Sequence, residues 1–125
     1  MRLAQFVLSA DWHCTHEKPV ARLDTDWKET QRKAIRFLVD TAIGKNCPLV
    51  AVGDLFDKPK VSLEITHMVL GELLRLREHG LEFYLIAGNH DLSFHRAENA
   101  EKDSIGTLLS IFPTISSILG VQDAA

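Results

Sequence analysis

The apolar positions of this 125-residue chain change period along its length, and each change marks an element. Leu3 to Ala10 is a short, nearly continuous apolar run with Phe6-Val7-Leu8 at its centre, and it reads as a buried first strand that stops at Asp11. Residues 14–23 are polar and read as a loop. From Asp24 to Asp26 onward the spacing turns helical. Asp26 and Glu29 make a capping pair, Trp27, Ala34, Leu38, Thr41 and Ala42 form the inner stripe, and Gly44 lies near the C-terminus. Pro48 then precedes Leu49-Val50-Ala51-Val52, an unbroken apolar run of the kind found in parallel strands covered on both faces. Ser62 is the expected N-cap of a second helix through Ile65, Val69, Leu73 and Leu76, closing at His79-Gly80, where glycine suits a left-handed cap. Leu81 to Ala87 is the third strand, and Ser104 to Leu119 reads as a short helix and a fourth strand separated by Pro113.

Strand runs separated by helical segments imply right-handed crossovers and an α/β architecture, a parallel β-sheet flanked by helices. Sites in such sheets form at the carboxyl ends of the strands, which is where this order delivers Asp11, Asp54 and Asn89. No repeat, linker or low-complexity segment intervenes, so residues 1–125 read as one domain.

The residues brought to that edge carry the chemistry. Asp11-Trp12-His13, Gly53-Asp54-Leu55-Phe56-Asp57 and Gly88-Asn89-His90-Asp91 offer carboxylate, imidazole and amide donors, a set suited to hard or borderline divalent cations. Asp-x-His by itself is a common polar pairing, and Gly-Asp after a strand can be a plain turn. Asp57 adds a second carboxylate to the second motif. An amide, an imidazole and a carboxylate in succession behind a strand exceed what a turn requires. Lys58 and Lys60 follow the second motif and are candidates for phosphate contact. Other polar groups read as incidental: Cys14-Thr15-His16 in the loop, His67 and His79 exposed on the second helix, and Lys28, Arg32, Lys33 and Arg36 as a solvated outer face of the first.

Composition alters this picture little. A net charge of −3 makes no global case for nucleic acid, so any basic patch must be local. Cys14 and Cys47 follow no zinc or redox spacing and suit a reducing compartment, which makes a cytoplasmic location the expectation. No apolar stretch is long enough to span a bilayer, so no membrane partner is expected.

On the three motifs the chain resembles the N-terminal half of the calcineurin-like metallophosphoesterase superfamily, whose fold is an αββα sandwich. The sequence Gly53-Asp54-Leu55-Phe56-Asp57 followed by Pro59 and Ser62, then Gly88-Asn89-His90-Asp91, is similar to DNA-repair exonuclease subunits of the SbcD type. The resemblance implies that Asp11 and His13 hold one metal, Asp54 bridges two, Asn89 binds the second, His90 contacts the scissile phosphate and Asp91 orients His90. It places Asp57 behind the ligands. The implied cofactors are two divalent ions, Mn²⁺ before Fe, Zn²⁺ or Mg²⁺, in a phosphodiesterase or nuclease. The implied partners are DNA or another phosphodiester, a second copy of the chain through the helix Ser62 to His79, and an ATPase subunit.

The chain departs from that pattern in one respect. Members of the superfamily add a later His and a Gly-His-x-His motif, and no histidine follows His95. The second metal then keeps only Asp54 and Asn89, so the expectation is an incomplete domain. The alternative function is a remnant or fragment that acts as a binding or structural module.

Overall fold

The chain runs β1 (Val7–Ala10), α1 (Trp27–Lys45), β2 (Leu49–Val52), α2 (Leu63–Glu78) and β3 (Phe83–Ile86) in the computed structural model, which describes residues 5–58 and 60–86. The strands form one parallel sheet in the order β1-β2-β3, with Val7 opposite Leu49 and Leu49 opposite Phe83. The α/β architecture with a parallel sheet and helices is therefore as expected, and β2 has the predicted limits. The expected helix and fourth strand of residues 104–119 lie outside the described residues.

Strand alternation decides what is buried. Leu49, Ala51, Phe83 and Leu85 point to one face and join a single core with Ile35, Val39 and Ala42 of α1 and Ile65, Val69, Leu73 and Leu76 of α2. Each large side chain fully buried there contributes about 2 kcal/mol by removal of apolar surface from water. Both helices thus lie on the same side of the sheet. The intervening row, Leu8, Val50 and Tyr84, faces the other way, and no helix among the described residues covers it. Phe6 and Leu8 are accordingly 57% and 63% exposed, which corrects the reading of Phe6-Val7-Leu8 as a buried strand. The unbroken apolar runs reflect a sheet that is apolar on both faces, of which only one is packed by α1 and α2.

Local chemistry sets the helix ends. The Asp26 carboxylate accepts from the Glu29 N–H at 3.1 Å, as the capping pair predicts, but the Glu29 carboxylate turns to Arg32, so only half of the reciprocal box forms. Asn46, not Gly44, closes α1 in the left-handed conformation (φ 51°, ψ 51°), with its N–H directed at the carbonyls of Ala42 and Ile43. The buried stripe is Gln31, Ile35, Val39 and Ala42, one residue round from the expected Ala34, Leu38 and Thr41, because this rotation buries the two β-branched side chains and leaves Ala34 outside. On α2, Ser62 caps Ile65 at 3.3 Å and Gly80 (φ 70°) terminates the helix, both as expected. His67 and His79 are exposed, as expected, and the His79 Nδ1–H donates to the Arg75 carbonyl at 2.8 Å.

The expected outer face of α1 needs correction. Lys28 pairs with Glu64 of α2 at 2.5 Å, and Arg32 and Arg36 approach Glu72 at 3.5 and 3.4 Å, so these cations line the α1–α2 seam; Lys33 is exposed. Cys14 is also not a polar-loop residue: it is buried in the core, as is Cys47, and no disulfide joins them. Among the described residues, no helix is long and apolar enough to cross a membrane.

Candidate metal centre

The pairing of β1 with β2 does not stop where the strands do. Asp11 N–H donates to the Gly53 carbonyl (3.3 Å), His13 N–H to Asp54 (2.9 Å), Cys14 N–H to Leu55 (3.0 Å) and Asp57 N–H to Cys14 (3.0 Å). The two loops are zipped together, with Cys14 and Phe56 forming a parallel bridge. Leu55 and Phe56 are fully buried and anchor the second loop from below. The Gly53 N–H donates to Ile86 at 2.7 Å, which brings the end of β3 to the same edge.

This path demands unusual backbone. Asp11 (φ 52°), His13 (φ 46°) and Asp54 (φ 44°) all adopt positive φ, and Gly53 (φ 74°) precedes the last of them. Asp, Asn and His reach this region at lower cost than other non-glycine residues, and it is concentrated here on the residues expected to be ligands.

The consequence is a convergent donor set. His13 Nε2 is 4.0 Å from Asp11 Oδ1 and 4.0 Å from Asp54 Oδ2, and one ligand atom from each of the three lies within 4.8 Å of the others. Asp54 is the deepest, with its side chain 17% exposed against 40% for His13 and 67% for Asp11. On the far side of the imidazole, His13 Nδ1 is 3.5 Å from Asp57 Oδ1. Three carboxylates around one imidazole accumulate negative charge that a cation would neutralise. Ligands about 2.1 Å from a shared ion can be at most about 4.2 Å apart, so the 4.0 Å separations are within reach of one cation and the widest needs only a small contraction. The oxygen and nitrogen donors suit Mn²⁺, Fe or Zn²⁺.

Asn89, His90 and Asp91 lie outside the described residues. Lys58 is exposed and 3.5 Å from Glu17, while Lys60 is exposed on the same loop. Two supporting residues escaped the sequence reading. Trp12 donates from Nε1 to Ser9 Oγ (2.8 Å) and sets its ring 6.0 Å from that of Phe83, fastening the residue between Asp11 and His13 to the core side. Gln31 accepts from the Thr15 N–H (3.0 Å) and donates to the Thr15 carbonyl (2.8 Å), clamping the segment that leaves the site. A polar residue one helical turn before Ile35, on the same stripe, was the signal for Gln31.

Away from the site, the loop before α1 is tied down electrostatically. Hydrogen bonds from Arg22, and secondly from Thr30, hold the Asp24 carboxyl at about 2, well below the usual carboxylate range, and the Arg22 guanidinium lies 5.2 Å from the Trp27 ring centre.

The calcineurin-like phosphoesterase family matches residues 4–121. A curated relative, the uncharacterized metallophosphoesterase YhaO of Bacillus subtilis (strain 168), is 35% identical over 65 residues. That match spans 51% of this chain and 16% of the relative.

Proposed function

Because the chain belongs to the calcineurin-like phosphoesterase family, we propose that it carries the N-terminal part of a metal-dependent phosphoester hydrolase site that acts on phosphodiesters, with DNA as the favoured substrate. The observation that carries the reading is the meeting of Asp11, His13 and Asp54 on two zipped loops at the carboxyl ends of β1 and β2. The likeness of Gly53 to Asp57, with Pro59 and Ser62, to SbcD-type exonuclease subunits favours a nuclease within that class.

In this reading Asp11 and His13 hold one cation, Asp54 is shared with a second, and Asn89 serves the second. Bound divalent ions, Mn²⁺ before the others, supply Lewis-acid polarisation of the phosphoryl group and neutralise its charge. Asp54 suits the shared position because it is more buried than Asp11 and Asp57, the other carboxylates of the site, and a single anion between two cations has the greatest effect there. His90 contacts the scissile phosphate and donates a proton to the departing oxygen, with Asp91 orienting it. Lys58 can leave Glu17 to meet a phosphate oxygen, since both partners are exposed and such a pair is weak. A homodimer through α2 and an ATPase partner subunit complete the proposal.

The test is to load the chain with Mn²⁺, desalt it, and count bound metal beside hydrolysis of a simple aryl phosphodiester and of DNA. Bound Mn²⁺ and turnover in the wild type, both lost in Asp54→Ala, are the expected result. Metal binding without turnover on either substrate points instead to a binding module, and no bound metal overturns the reading.

A further inference from the structure

We propose that the cavity between the loop after β1 and the first half of α1 is a base-binding pocket, which takes a planar heteroaromatic ring of the purine or pyrimidine class beside the metal centre. Its place in the reaction rests on the reading of Asp11, His13 and Asp54 as a metal site; the binding of the ring does not.

The cavity has a volume of about 300 Å³, at the small end of the range for ligand sites. Both tryptophans of the chain line it, Trp12 from the loop and Trp27 from α1. Ile35 and Leu38, further along the helix, add apolar wall. Such a lining favours a flat ring, because every base has a face that stacks on an indole.

Hydrogen bonding then selects among flat rings. The polar ends of the other lining side chains are engaged: Trp12 Nε1–H donates to Ser9 at 2.8 Å, the Thr30 hydroxyl donates to Asp24 at 2.9 Å, and the Gln31 amide serves both main-chain groups of Thr15. Asp24 also holds the Arg22 guanidinium through bonds of 2.7 and 3.0 Å. Trp27 is the exception. Its Nε1–H is shut off from solvent and has no acceptor among the described residues. A buried donor of this kind carries a desolvation cost that an incoming acceptor removes. The carbonyl oxygens and ring nitrogens of bases are such acceptors, whereas a plain hydrocarbon ring has none.

The position of the cavity gives the pocket its use. Trp12 lies between Asp11 and His13, and Cys14, another lining residue, follows His13, so the neighbours of the candidate imidazole ligand are themselves cavity wall. The cavity is thereby placed to receive the base of a nucleotide whose phosphate meets the cation, which favours nucleic acid over other phosphodiesters.

The test uses the metal-free, ¹⁵N-labelled full chain, titrated separately with thymidine, 2′-deoxyadenosine and toluene. With two tryptophans there are two indole N–H resonances, and both report on this cavity. The Trp27 signal should move saturably with either nucleoside, and the Trp12 signal, already bonded to Ser9, should move less. Trp27→Phe keeps a ring but removes the donor, and should weaken nucleoside binding roughly tenfold, read on Trp12. Ala34→Leu narrows the exposed rim of the cavity and should abolish binding. Far-UV circular dichroism confirms that each variant is folded; if Trp27→Phe is not, Ala34→Leu decides, since leucine is a good helix former at an exposed position. No saturable shift with either nucleoside, nucleoside affinity unchanged in Ala34→Leu, or binding of toluene alone overturns the proposal. Nucleoside binding in a chain that takes up no Mn²⁺ leaves the pocket standing while the metal-site reading fails, and Mn²⁺ uptake without nucleoside binding does the reverse.

Discussion

The main-chain N–H of His13 donates to the carbonyl of Asp54 at 2.9 Å, and both residues hold positive φ, 46° and 44°. Two side chains that meet over a prospective cation are thus also coupled through their backbone. The loops hold this shape at the cost of placing non-glycine residues in a region that L-residues avoid.

That cost yields the first prediction. Asp54→Ala and Asp54→Gly both remove the carboxylate, but only glycine relieves the left-handed strain. Asp54→Gly should be the more stable of the two by about 1 kcal/mol in urea denaturation, while both lose Mn²⁺ equally. Equal stability of the two variants would show that the loop carries no strain at this position.

The N-cap of α1 gives the second. Asp26 satisfies the Glu29 N–H, and because Glu29 pairs with Arg32 instead of returning the bond, the Asp26 side chain is the main cap of this end. Asp26→Ala should lower stability by about 1 kcal/mol and Asp26→Asn by much less, since its side-chain oxygen still accepts. The comparison of urea midpoints checks it, and equal losses in both variants would point to charge rather than capping.

The loop before α1 predicts a pH response. Asp24, held at about 2 by Arg22 and Thr30, is depressed from an ordinary 3.8, so its contribution is fully present above about 4 and is lost as pH falls toward 2. Unfolded chains bind that proton first on the way down. The Arg22 guanidinium over Trp27 should be released in the same step, and the Trp27 indole N–H resonance should move with a midpoint near 2. In Asp24→Asn that transition should vanish; a midpoint near 4 in the wild type would mean that the Arg22 contact is not formed in solution.

Periodicity carried the element order and the second helix almost to the residue, because Ser62 is a clear start signal and Gly80 a clear stop signal. It misplaced the stripe of α1 by one position, since Ala34, Leu38 and Ala42 match helical spacing nearly as well as Ile35, Val39 and Ala42, and only packing against the sheet separates them. Asp11, His13 and Asp54 stand out in the sequence as candidate ligands because they lie within three residues of a strand end. Motif spacing could not give the loop-to-loop ladder, the shared positive φ or the side of His13 on which Asp57 sits, which depend on the register of β1 against β2. Glu72 was invisible for a related reason: nothing in a helical stripe says that a carboxylate is buried until the neighbouring helix supplies its partners.

Glu72 provides the last prediction. Its side chain is 8% exposed and lies 3.1 Å from Arg75 Nη1, 3.4 Å from Arg36 Nε and 3.5 Å from Arg32 Nη1, so one nearly buried anion gathers three guanidiniums from both helices. Removing such a charge leaves cations facing one another across the seam, a change that costs about 3–5 kcal/mol where every partner is buried. Here the arginines are partly exposed, and solvent takes up part of their charge, so Glu72→Gln should cost about 1–2 kcal/mol. The Lys28–Glu64 pair spans the same two helices at 2.5 Å but is exposed on both sides, and Glu64→Gln should leave the urea midpoint unchanged. Salt separates the cases further: high salt should shrink the deficit of Glu72→Gln only in part, because its contacts are shielded from solvent ions. Equal effects of the two substitutions would mean that the seam is held by Ile35, Val39 and Leu73 alone and that the buried carboxylate adds nothing to it.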